Sequence, residues 1–248
     1  MQAGAGLWYA ARNAVTAVLL AGAGAEASES ALDGPAGLFA AFGGAPPAAL
    51  DLDGEWEIRA AYHKPAPACN YAQTPAQAAL AVRSAHAFPA RDIEQVVVKS
   101  FPEAIGYPGC NHAGPYRTQL QAKMSIQFTV AAVLVHGRLD DAVFRDFAAH
   151  GEVARLARHV QLEEDAELAR GYPQRQGAEV IVSLRNGRIA RRRLADLEPL
   201  DPQGVRDRAR AALAGLLGDV RAAEIEREID TITGSPDAAR IARLLGRG

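Results

Sequence analysis

The chain has 248 residues, a net charge of −2 and a pI near 6.3. Hydrophobic residues make up 49% and charged ones 23%, enough to bury a core in one large domain or two small ones. This charge balance sets up no field that would draw nucleic acid or an anionic membrane surface, so neither is expected as a partner. The two cysteines, Cys69 and Cys110, are too few for a disulfide framework and show no spacing typical of a zinc site. Free thiols fit a cytoplasmic location.

Residues 5–22 read as a helix, with Ala11, Val15, Val18 and Leu19 on one face and Gly22 and Gly24 as a stop. The apolar run 14–25 is shorter than the roughly 20 residues that span a bilayer. Glu26 and Glu29 follow at once, which argues against a secretion signal. Residues 30–42 form a second helical piece, broken by Asp33-Gly34-Pro35, and 43–47 a turn-rich linker. Residues 56–62 alternate as a strand. Thr74 as N-cap and Pro75 at the first position then open a helix to about His86. Residues 93–101 contain Val96-Val97-Val98 and read as a second strand, giving a βαβ-like crossover.

Residues 102–120 lack periodicity and read as a long, glycine- and proline-rich loop. A helix over 121–135 follows, with Met124, Phe128, Ala131 and Val135 on one face and Gly137 closing it; 139–148 restarts as another. Residues 160–162 and 179–184 are expected strands, and Asn186-Gly187 signals a type I′ hairpin to a return strand over 189–193. Three helices end the chain. The first opens at Asp201-Pro202 and lines up Val205, Ala209, Ala212, Leu213 and Leu216. The second carries Ile225, Ile229 and Ile232, and the third, from Ser235-Pro236-Asp237, buries Ile241, Leu244 and Leu245. The fold class is therefore α+β: part of a helical domain (1–46), interrupted by a smaller α+β domain (47–197), with helices 198–248 returning to the helical part.

Three segments carry chemistry. In Tyr62-His63-Lys64-Pro65-Ala66-Pro67-Ala68-Cys69-Asn70-Tyr71, a lysine at a strand end suits a carboxylate. The plain alternative is a solvated Lys64 and a Cys69 that acts as a small hydrophobe. The loop Ile105-Gly106-Tyr107-Pro108-Gly109-Cys110-Asn111-His112 allows close backbone approach, or simply packs its tyrosines on the core. In Gln121-Ala122-Lys123-Met124-Ser125-Ile126-Gln127-Phe128, Lys123 and Ser125 read as lying near a helix N-terminus, where the dipole favours an anion; surface and capping roles are the alternative.

Taken together these segments resemble the MmgE/PrpD family. His63-Lys64-Pro65-Ala66-Pro67-Ala68-Cys69 looks like its "K-x-x-P-A/S-C" strand end. Gln121 to Phe128, followed by Val130-Ala131-Ala132-Val133-Leu134-Val135-His136-Gly137, looks like its "A-K/R-F/M-S-x-Q-Y…A-x-x-L-x-x-G" helix. Ala10-Ala11-Arg12-Asn13-Ala14-Val15-Thr16-Ala17-Val18-Leu19-Leu20-Ala21 is similar to a late helix of the family's helical domain, and Leu32-Asp33-Gly34-Pro35-Ala36-Gly37-Leu38 resembles the "L-E-G-x-x-G" turn after it.

The resemblance implies a small di- or tricarboxylate substrate and proton chemistry beside a carboxylate, with no metal and no cofactor. The family's reactions are 2-methylcitrate dehydration, cis-aconitate decarboxylation and iminodisuccinate epimerisation, so lyase and isomerase both stay open. By position, Lys64 would be the catalytic or carboxylate-holding lysine. Arg12, Cys69, Tyr107, Cys110, His112, Lys123 and Ser125 would line the substrate site. The family commonly has a histidine soon after the Cys69 position; here the stretch is Asn70-Tyr71-Ala72-Gln73, and Gln73 does not titrate. Its principal Asp/His acid–base residues precede the region that Met1 matches. The chain is therefore expected to be a C-terminal portion, silent in 2-methylcitrate dehydration by itself. It would pair as a homodimer or with a separately encoded helical half, or serve as a non-catalytic binding subunit.

Overall fold

The computed structural model describes residues 5–44, 54–55, 57–237 and 239–246. The chain falls into two compact units, Met1–Ala60 and Ala61–Gly248. In the first, helix α1 (Ala5–Gly22) has the expected bounds, and a short α2 (Leu38–Ala41) follows a run of turns. Val15, Val18 and Leu19 lie exposed on α1. The expected linker over 43–47 and strand over 56–62 fall partly outside the described residues. The described part of that strand, 57–62, is a 3-10 turn, Glu57–Ala60, followed by irregular backbone. The βαβ crossover expected at that point is therefore not formed; His63 makes only an isolated bridge to Leu200.

The second unit is built on α3 (Gln73–Ala85) and β1 (Ile93–Ser100), followed by α4 (Pro102–Gly106), α5 (Gln119–Met124) and α6 (Ile126–His136). Next come α7 (Asp141–Arg145), α8 (Gly151–Ala157), β2 (Val160–Glu164), α9 (Ala166–Gly171), β3 (Ala178–Leu184) and β4 (Ile189–Leu194). The sheet runs β2-β1-β3-β4. β1 pairs parallel with β2 and antiparallel with β3, which pairs antiparallel with β4. The parallel crossover thus exists, but between β1 and β2, and it carries the helices of the site. Alternate residues of β1 and β3 (Val96, Val98, Val180, Val182) point into the core, the period-two pattern of a sheet covered on one face. α3 and α6 pack together, and alanines at 76, 79, 131 and 132 keep side-chain bulk low on both.

The predicted helix over 121–135 is two helices. Ser125 closes α5 in extended backbone (φ −70°, ψ 123°) and caps α6 by accepting the Phe128 N–H at 2.9 Å. α6 is buried on all sides from Ile126 to Leu134, not on one face, and Gly137 ends it in left-handed geometry at φ 67°. Thr74 lies one residue inside α3 and caps nothing; its hydroxyl donates to the Gln176 carbonyl. The hairpin turn also differs from type I′. Gly187 has φ 81° but Asn186 does not have positive φ, and Gly187 N–H donates to Leu184 O, a type I turn with the glycine supplying the left-handed step.

After β4 come α10 (Pro202–Leu217), α11 (Asp219–Asp230) and α12 (Ala239–Leu245). Asp201 caps α10 at Gly204 N–H as expected. The apolar faces expected there are buried only in part: Ile225 of α11 is fully buried and Val205, Leu213, Ile241 and Leu244 are half-buried, whereas Leu216 is 72% exposed, Leu245 is 50% exposed and α10 has no buried residue. Among the described residues no helix is long and apolar enough to cross a membrane.

One ion-pair knot ties β3 and β4 to the connection between β2 and β3. Asp165 caps α9, accepting the N–H groups of Glu167 (2.9 Å) and Leu168 (3.0 Å). Arg193 of β4 forks onto the same carboxylate at 2.9 and 3.1 Å and also reaches Glu167 and Glu179. The hydrogen-bonded guanidinium holds the Asp165 carboxyl well below the usual carboxylate range. A lowered pKa in the folded state adds stability above the unfolded value of about 3.9, and that stability is lost as pH falls below it. Asp165→Asn should therefore cost about 2 kcal/mol at pH 7. Urea titrations should show the gap to the unsubstituted chain closing below about pH 4.

Candidate functional site

The site grows from the run of prolines and alanines at 65–68. Two prolines keep this stretch extended and deprive it of backbone donors, so it cannot join a ladder. Another group must satisfy its carbonyls, and that group is the Gln73 side chain, which is fully buried. Its Oε1 accepts the Ala66 N–H at 3.0 Å, and its Nε2 donates to the carbonyls of Ala66 (3.0 Å), Ala68 (3.1 Å) and Cys69 (3.1 Å). Only this amide orientation fits, because the N–H can only donate and the three carbonyls only accept. A histidine or carboxylate could not serve all four. The Cys69 N–H, in turn, donates to Lys123 O at 2.8 Å, which ties the stretch to α5.

Lys64 stands exposed at the start of this loop, its Nζ donating to Ala68 O at 3.2 Å. It borders an open cleft of ≈ 500 Å³ together with Tyr62, His63, Cys69, Leu120, Lys123, Met124 and Arg208. Lys64, Lys123 and Arg208 give that cleft three cations, and among the described residues no carboxylate lines it. Arg208, on α10, donates to the Lys64 carbonyl and is not recognisable from local pattern. A larger cleft of ≈ 730 Å³ on the other side of Pro67 shares Lys123 and Arg208 but adds Asp140 and Asp141. The smaller cleft has no carboxylate in its described lining, and of its cations Lys123 is paired at 3.3 Å with Asp141 of the larger one.

The expected site residues divide. Lys64, Cys69 and Lys123 meet at the cleft. Lys123 lies in the last turn of α5, two residues before Ser125, the N-cap of α6; Asp141 at 3.3 Å and the Phe144 ring position it. Cys110 is fully buried beneath Cys69. Tyr107 is 47% exposed and stacks edge-on against Tyr71. Ser125 is fully buried, its hydroxyl donating to His112 O at 2.6 Å while it caps α6. His112 packs edge-on against Tyr116, with its backbone N–H held by Gln127. Arg12 is exposed on α1 in the other unit. Among the described residues no three His, Cys, Asp or Glu side chains converge as they would to hold a metal ion.

The sulfur atoms of Cys69 and Cys110 lie 3.5 Å apart. The hydrogen bond from Cys110 pushes the Cys69 thiol down to about 6, with help from the Lys64 charge and against the effect of burial. The same contact, then burial, pushes the Cys110 thiol up. Tyr71 is pushed up to about 12 by its hydrogen bond with Tyr172 and by burial, so it stays neutral.

Two tests follow from this geometry. Gln73→Leu should lose about 3 kcal/mol in urea unfolding, since it leaves buried carbonyls unpaired at roughly 1–3 kcal/mol each with partial relaxation. Iodoacetamide labelling of Cys69 should be half-maximal near pH 6, not near 9, and Cys110→Ala should move that midpoint upward.

Residues 66–232 match the family model described as MmgE/PrpD C-terminal domain. No curated protein matches the chain.

Proposed function

The chain belongs to the MmgE/PrpD family, and from that premise we propose that it supplies the carboxylate-holding wall of a cytoplasmic, cofactor-free lyase of the 2-methylcitrate dehydratase type, acting on a small di- or tricarboxylate, with the proton-abstracting base contributed from outside this domain and no turnover by these residues alone. The supporting observation is the cleft in which Lys64, Lys123 and Arg208 converge with no carboxylate among the described lining residues. Removing a proton next to a carboxylate builds enolate-like negative charge, and fixed cations lower that barrier. In this reading Lys123 and Arg208 clamp carboxylates as a point charge and a fork. Lys64, the most exposed of the three, neutralises the developing charge and passes a proton to the leaving group. Cys69 borders the substrate, and Tyr107, Cys110, His112 and Ser125 support the wall behind it.

Isothermal calorimetry with 2-methylcitrate tests the reading. Lys64→Ala should weaken binding by about 1.5–3 kcal/mol, the range for a hydrogen bond to a charged group. Arg145→Ala, in the larger neighbouring cleft, should leave affinity unchanged. Equal affinity of the unsubstituted chain and Lys64→Ala would remove Lys64 from the site.

A further inference from the structure

We propose that Cys69 and Cys110 form a redox-active dithiol, in which peroxide oxidises the Cys69 sulfur and Cys110 then closes it to a disulfide bordering the cationic cleft.

The two sulfurs are already in contact at 3.5 Å. A disulfide needs about 2.05 Å, so closure asks for a movement of roughly one and a half ångströms, within reach of side-chain rotation. Both backbones are held for it. Cys69 N–H is fixed on Lys123 O, Cys110 N–H on Tyr107 O, and Cys110 O accepts from Ile126 N–H. Their access differs. Cys69 is half-buried and borders the open cleft, whereas Cys110 is fully buried. An oxidant arriving through the cleft meets only the first sulfur. The thiolate is the nucleophile that peroxide requires, and the Cys69 thiol is pushed down while burial shields Cys110 from an oxidant in solution.

The step balances. The Cys69 thiolate attacks one oxygen of hydrogen peroxide; the O–O bond breaks, hydroxide leaves, and Cys69 becomes a sulfenic acid. Cys110 sulfur then displaces that hydroxyl; the S–O bond breaks, the S–S bond forms, and the Cys110 proton departs in water. Two sulfurs lose two electrons and the peroxide gains them. Because the resolving thiol is already in contact, the sulfenic acid is captured before further oxidation. The disulfide removes the negative sulfur beside Lys64 and ties residue 69 covalently to the loop over 107–112. That consequence for ligand binding rests on the carboxylate reading; the thiol chemistry does not.

The test uses the full chain, reduced, freed of reductant and exposed to hydrogen peroxide at pH 7, with peptides mapped by mass spectrometry. Both thiols should vanish together, a Cys69–Cys110 crosslink should accumulate, and dithiothreitol should reverse it. With dimedone present, Cys110→Ser should give an adduct on Cys69. In Cys69→Ser, oxidation of Cys110 should slow by roughly tenfold or more. Over-oxidation of Cys69 while Cys110 stays free, or survival of both thiols at exposures that oxidise glutathione, would overturn the proposal. The unsubstituted chain decides the matter by itself, so a variant that misfolds does not obscure the outcome. Calorimetry of the oxidised chain with 2-methylcitrate reads the coupling separately. Tighter binding than in the reduced chain is expected, and equal affinity with the disulfide formed would overturn the coupling but not the dithiol.

Discussion

The cleft depends on one buried carboxamide. A stretch carrying two prolines in four residues cannot satisfy its own backbone, and the site needs that stretch held still. Gln73 resolves this with a single side chain whose oxygen accepts one N–H and whose two N–H bonds are shared among three carbonyls. Removing it would free the loop that sets Lys64, Cys69 and the Cys69–Lys123 link. Because a carboxamide carries no titratable proton, the loop keeps its shape across the pH range in which the neighbouring thiol ionises.

Local chemistry makes much of the fold legible. β1 and β3 are written in β-branched periodicity, β4 in the Asn-Gly turn before it, α10 in its Asp-Pro start, and α1 in its apolar repeat. Legibility fails where tertiary contacts override local preference. The stretch after Trp56 alternates like a strand, yet its described part is a 3-10 turn followed by irregular backbone. Ser125 breaks a continuous helical pattern because its hydroxyl is worth more as a cap and a partner for His112 than as a helix residue. α8 and α9 are short and depend on neighbours, so periodicity does not reveal them.

The site is half legible for the same reason. Lys64, Cys69 and Lys123 sit in motifs whose spacing is visible along the chain. Arg208 comes to Lys64 from 144 residues away, with nothing in its own helix to mark it. The contact between Cys69 and Cys110 spans 41 residues and requires the β1–β2 crossover to bring the loop over 107–112 beneath the proline stretch. Along the chain Gln73 shows only what it cannot do in acid–base chemistry; its part in the architecture emerges once it is buried.

The end of the sheet has one more consequence. β4 is a terminal strand, and Arg191 and Arg192 stand exposed on it beside the ion-paired Arg193. An incoming strand from another molecule would have to strip water from these guanidinium groups and crowd any positive charge of its own against them. Exposed arginines on a terminal strand thus make β4 a poor template for edge-to-edge pairing.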